Sequence, residues 1–159
     1  AAIIKARQDF NINYKVESDC APLNELTGLL SERIPGLKIM RDPTRGGLAT
    51  TLNEFLDGQR FGIRIVEENV PVRDVVRGLC EPLGFDPLYL ANEGKVVVIV
   101  AKEYADEALR LMWSHPLGAE AAIIGEVIAK PAGRVLLKTR IGTERILDML
   151  TGEMLPRIC

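Results

Sequence analysis

Apolar residues recur along this chain at two spacings, and the alternation between them predicts helices interleaved with strands. Leu23, Leu26, Leu30 and Ile34 fall three or four apart, on one face of a helix. Pro22 suits its first turn, and Pro35-Gly36 stops it. Leu37 to Met40 reads as a short strand. A second helix places Leu48, Leu52, Phe55 and Leu56 on one side and ends at Asp57-Gly58. Phe61, Ile63 and Ile65 alternate with Gly62 and Arg64, the pattern of a half-buried strand. Val72, Val75, Val76, Leu79 and Leu83 describe a third helix closed by Gly84. Lys95 to Ala101 is apolar enough for a fully buried strand. Glu103 to Trp113 is helical, with Tyr104, Ala108, Leu111 and Met112 inward, and stops before His115-Pro116. Ala121 to Ile128 and Arg134 to Lys138 predict two more strands, joined as a hairpin by a turn around Pro131-Ala132-Gly133. The order α, β, α, β, α, β, α, β, β within one core predicts an α+β fold, an α/β sandwich with a mixed sheet.

Length and composition narrow this picture. The 159 residues suit one domain, and 47% hydrophobic against 26% charged residues excludes wholesale disorder. The longest apolar run, Val96 to Ala101, is far short of a helical membrane span. Twenty basic against 22 acidic residues leave a net charge of −2 and no basic block, so no nucleic-acid footprint is present. Cys20, Cys80 and Cys159 form neither a zinc spacing nor a disulfide framework, which fits a reducing cytoplasm. The chain starts without methionine, as a processed chain or a piece of a longer one would.

Three places carry candidate chemistry. In Asp42-Pro-Thr-Arg-Gly-Gly47 a strand ends and two glycines open a helix, whose free N–H groups and dipole attract an anion. Gly46 and Gly47 would let a phosphate approach, Arg45 would add a bidentate contact, and Asp42 would hold a metal or orient Arg45. The plainer role is a helix cap by Asp42 or Thr44. Ala91-Asn92-Glu93-Gly94-Lys95 precedes the most apolar strand. A carboxylate at the mouth of a buried strand would be partly desolvated and so a usable proton acceptor near neutral pH, unless Lys95 keeps it ionised. The alternative is a solvated turn. Cys159 closes the chain on a segment expected to be a mobile tail. Its nine residues from Thr151 could reach about 30 Å, so the thiol could ferry a sulfur-bound group, or be an accident of the terminus. Cys20 and Cys80 read as structural, Trp113 and Met112 as core, and His115 as a helix-terminus residue.

Met40-Arg-Asp-Pro-Thr-Arg-Gly-Gly-Leu48, Ala91-Asn-Glu-Gly-Lys95, His115-Pro-Leu-Gly118 with Ile124-Gly-Glu-Val127, Ser18-Asp19-Cys20 and the terminal Pro156-Arg-Ile-Cys159 occur in one chain. Together they closely resemble the HypE family of hydrogenase maturation proteins, the carbamoyl dehydratases, within the aminoimidazole ribonucleotide synthetase (PurM-like) superfamily. The resemblance covers essentially the whole chain but only the C-terminal half of the family's proteins. It implies a PurM-like C-terminal α/β domain over residues 1–150, partly ferredoxin-like, and a tail over 151–159. The N-terminal half, with most of the ATP site and the dimer interface, would be absent.

The same resemblance implies the chemistry. A carbamoyltransferase, HypF, would load a carbamoyl group onto the sulfur of Cys159. ATP with Mg2+ would then drive its dehydration to a thiocyanate, and the cyanide would pass to iron on a HypC–HypD scaffold. Glu93 would be the base, Asn92 and Lys95 would assist, and Asp42, Thr44, Arg45, Gly46 and Gly47 would border the ATP cleft. The intact protein would be a cytoplasmic homodimer. Two other readings stand beside this one. The chain could belong to another ATP-dependent synthetase of the superfamily, against which Pro-Arg-Ile-Cys argues, or be a non-catalytic docking module that bears a tail.

Overall fold

A computed structural model describes residues 17–150. The elements are α1 (Asn24–Arg33), β1 (Leu37–Arg41), α2 (Gly47–Glu54), β2 (Gly62–Val66), α3 (Asp74–Cys80), β3 (Val97–Val100), α4 (Ala105–Trp113), β4 (Gly125–Ile128), β5 (Val135–Lys138) and β6 (Glu144–Ile146). Every predicted helix and strand is present. The α+β expectation holds, with one change of plan: the strands form two sheets. β1 and β3 make an antiparallel pair, and the other strands run in the order β4-β2-β5-β6. The larger sheet is mixed, because β2 and β5 are parallel while β2–β4 and β5–β6 are antiparallel.

Alternation explains how these layers stack. Along β3, Val98 and Val100 face Leu30, Ile34 and Ala108 of α1 and α4. Val97 and Ile99 face the main core of Leu52, Ile65, Leu137 and Leu147. A strand covered on both faces needs apolar residues at every position, which is why Val96 to Ala101 reads as one unbroken run. The strand is nevertheless half-buried rather than fully buried. A two-stranded sheet leaves its edges open, so the expectation of full burial fails there. The layers are therefore α1 and α4, then β1–β3, then α2 within the main core, then the inner face of the four-stranded sheet. Each fully buried Leu or Ile in that core contributes about 1.5–3 kcal/mol by leaving water.

Three other expectations need correction. β4 and β5 do not form a hairpin; both pair with β2, on opposite sides, and the turn at 131–133 carries the chain around the end of that strand. Indeed the Gly133 N–H donates to the Phe61 carbonyl at 2.8 Å, across the start of β2. β6 is an extra strand, paired with β5. Trp113 is 51% exposed rather than core, and its indole N–H donates to the Ala121 carbonyl at 2.8 Å. Met112 does pack with the α1–α4 cluster.

Candidate active site

The two polar motifs meet because of strand register. Arg41, the last residue of β1, pairs with Val97, the first of β3. The chain therefore leaves β1 into Asp42–Gly47 and enters β3 from Ala91–Lys95 at the same end of the sheet. The two loops are bonded to each other, since the Asn92 N–H donates to the Pro43 carbonyl at 3.0 Å. Gly47 takes φ +62°, and a Cβ there would lie 2.7 Å from the Leu88 carbonyl oxygen. Only glycine allows the start of α2 to press so closely on the 88–90 backbone.

Within the second loop Asn92 acts as a brace. Its side-chain N–H donates to the Leu90 carbonyl at 2.6 Å, and its carbonyl oxygen accepts from Lys95 Nζ at 2.7 Å. Lys95 also donates to Asp19 Oδ2 at 3.0 Å. A Cβ on Gly94 would collide with the Asp19 carbonyl oxygen, so the 17–21 segment crosses directly over this loop. An open groove of about 300 Å³ results, lined among others by Thr27, Arg41, Asp42, Glu93, Lys95 and Val96. Glu93 is half-buried and makes no hydrogen bond or ion pair among the described residues. It stands on an open groove, not at the mouth of a fully buried strand.

Asp42, Glu93 and Lys95 are thus brought together, with Asn92 behind them. Thr44, Arg45, Gly46 and Gly47 lie at the start of α2 instead and do not line the groove. The capping role for Asp42 or Thr44 is not found. The N-cap of α2 is Gly46, left-handed at φ 72°, and no side chain caps the helix. Arg45 is exposed and forms no ion pair among the described residues, whereas Arg41 is paired with Glu54 at 2.9 Å. An uncapped helix start beside an uncommitted guanidinium fits a phosphate oxygen. Asp42 has no partners for a metal: among the described residues no group of three or more His, Cys, Asp or Glu could hold one.

Arg41 and Thr27, which line the groove, and Asp19, which holds Lys95 beside it, are site residues that pattern reading missed. Arg41 had a signal, being the base next to Asp42. Asp19 had none of its own, because it meets Lys95 from 76 residues away. Cys80 is buried with Leu90 against Val76, Leu83 and Phe85, and burial raises its pKa, so it stays a thiol as a structural residue should. Cys20 is exposed, against the structural role expected of it. His115 does end its helix region, accepting the Leu117 N–H on Nδ1 at 3.2 Å. Cys159 and the tail lie outside the described residues.

A profile of the family described as AIR synthase related protein, C-terminal domain, matches residues 3–138. The chain is 48% identical over 159 residues to the carbamoyl dehydratase HypE of Rhodobacter capsulatus, covering 100% of this chain and 47% of that protein. It is 46% identical over 158 residues to the HypE of Cupriavidus necator, covering 99% and 45%. Among solved structures it is similar to a hydrogenase maturation protein HypE with a TM-score of 0.91 at 45% identity, covering 99% of this chain and 51% of that one. A HypE in complex with ATP matches at 0.90 and 44% identity, covering 99% and 48%. A HypE–HypF complex matches at 0.87 and 44% identity, covering 93% and 48%. The chain spans about half the length of the curated relatives it matches.

Proposed function

We propose, from the premise that this chain belongs to the AIR synthase related protein family and matches its C-terminal domain, that it is the cysteine-bearing half of an ATP-dependent carbamoyl dehydratase for hydrogenase maturation. Its substrate is an S-carbamoyl group on Cys159, and its product is the thiocyanate that supplies a cyanide ligand to iron. The observation that carries this reading is a Glu93 without a partner among the described residues, lining one groove with Asp42 and Lys95, in a chain similar along its whole length to carbamoyl dehydratases. The similar structures solved with ATP and with HypF support ATP as co-substrate and HypF as the partner that loads the carbamoyl group. HypC–HypD as cyanide acceptor, homodimer assembly and a cytoplasmic location complete the proposal.

An amide oxygen leaves poorly, and ATP supplies the phosphoryl group that makes it a leaving group. The residues of this chain handle the protons and charge. Glu93 accepts one proton from the carbamoyl nitrogen as the oxygen is phosphorylated and, after passing it to solvent, the second as the C–O bond breaks and phosphate leaves. Lys95, fixed by Asn92 and Asp19, holds a positive charge beside it. Arg45 and the N–H groups at Gly46 and Gly47 face phosphate oxygens, while Thr44 and Asp42 form the rim. Mg2+ needs ligands beyond Asp42. The N-terminal half provides them, together with closure of the groove against water.

Two measurements test this. In the protein with both halves, Glu93→Gln is expected to leave Cys159 carbamoylated but to slow water loss from the tail by about 10²–10⁴-fold, followed by mass spectrometry. Dehydration at the unaltered rate would remove Glu93 from the chemistry. The isolated chain is expected to bind ATP negligibly, because Arg41 and Lys95 are already paired and, among the described residues of the site, leave Arg45 uncommitted. Calorimetric titration showing sub-millimolar binding would overturn that division of labour. Without its other half the chain is then inactive, a docking module that bears the tail.

A further inference from the structure

The route by which the chain leaves the fold is specified by side chains that the proposed chemistry does not use. Leu147 is completely buried, and its N–H donates to the Val135 carbonyl at 2.8 Å. Its own carbonyl accepts from Asn53 Nδ2 at 2.8 Å, and Asn53 is tied in turn to the Ala49 carbonyl at 2.8 Å. Leu147 therefore belongs to the core. Beyond it Asp148 and Met149 are exposed. Two hydroxyls hold the backbone there. Tyr89 Oη donates to the Asp148 carbonyl at 2.9 Å, and Thr50 Oγ1 accepts the Leu150 N–H at 3.4 Å.

Both hydroxyls stand beside the two motif loops, Thr50 in α2 just after the first and Tyr89 just before the second. Tyr89 ends the turn against which Gly47 packs. Thr50 stands about one helical turn, some 6 Å, from Gly46. We propose that Tyr89 and Thr50 are positioning residues that pin the root of the carrier arm beside the catalytic loops, so that the arm begins after Leu150 and its reach is set by the nine residues beyond. This rests on the reading of Cys159 as carrier.

Magnitude decides what the pins do. Releasing Asp148–Leu150 would add about 10 Å of slack. Lengthening a tether from nine to twelve residues lowers effective concentration by only about a third. The pins therefore govern reach, and a shortened arm exposes them. The anchor itself is tested by amide exchange in this chain carrying Tyr89→Phe with Thr50→Val. Exchange at Leu150 is expected to rise at least about tenfold while Leu147 stays protected. Unchanged exchange at Leu150 would overturn the proposal. Should Leu147 also lose protection in the double variant, Thr50→Val alone, which removes the acceptor of the Leu150 N–H, is measured by the same criterion.

The role in reach is tested in the protein with both halves. Deleting Glu153 and Met154 shortens the arm by about 7 Å and is expected to slow internal dehydration at least about tenfold. Adding the double substitution is expected to restore it to within about threefold, a gain that mere destabilisation cannot produce. A folded variant without restoration would overturn the proposal. Absence of dehydration in the unaltered protein would instead refute the proposed activity, while the exchange result still decides the anchor.

Discussion

The two sheets divide the work of the molecule. The β1–β3 pair is short and open-edged, yet both motif loops leave from one of its ends. The four-stranded sheet buries Ile63, Ile65, Val135 and Leu137 and supplies much of the core, but its connecting turns carry none of the candidate chemistry. Its outer face carries a charged ladder, with Arg64 between Glu126 at 3.5 Å and Glu144 at 2.9 Å. Surface pairs of that kind add little stability. The contrast teaches that the site needs register from a small sheet and rigidity borrowed from a large one. Tyr89 and Thr50 then connect the two, since they hold the segment after β6 against the loops of the small sheet.

Substitutions can break this division in order of effect. Leu137→Ala empties a fully buried position of the large sheet and is expected to cost about 2–5 kcal/mol in denaturant unfolding. A loss below 1 kcal/mol would show that the main core does not lean on that sheet. Gly47→Ala forces a side chain into φ +62° against the 88–90 carbonyls and is expected to cost about 1–3 kcal/mol. Its signature is local: amide protection at Asn92, whose N–H bonds Pro43, should fall before that of the four-stranded sheet. Equal loss in both would dissolve the distinction between the regions.

Tyr89→Phe has the smallest effect, at most about 1 kcal/mol for one hydrogen bond. It carries a pH signature. Burial, and after it the Asp86 carboxylate, raise the Tyr89 phenol above its ordinary 10.0. Its folded-state contribution is thus complete below pH 10.0 and is lost as pH rises through the raised value. The stability gap between parent and variant should be flat up to pH 10.0 and narrow between there and the raised value. A gap that widened in alkali would contradict the assigned hydrogen bond.

Most local structure was legible in the chain, because helices and strands of this size are marked by spacing that depends only on near neighbours. Leu23 to Ile34 and Leu48 to Leu56 show the helical period, and Ile63 and Ile65 the strand period. The motifs at Asp42–Gly47 and Ala91–Lys95 were visible for the same reason, as was the resemblance that joined them. Partnership was not legible. β6 has three exposed residues and so no buried alternation to betray it. β4 and β5 look like a hairpin in sequence, and only the insertion of β2 between them decides otherwise. Asp19 reaching Lys95, Arg41 turning to Glu54, and Tyr89 holding Asp148 are contacts between residues far apart or on separate elements. Sequence by itself determined which segments are helix, strand or polar loop, since those follow from local periodicity. The tertiary structure alone decided which loops share a groove and where the arm departs, because strand register and side-chain contacts over long separations are settled only when the layers pack.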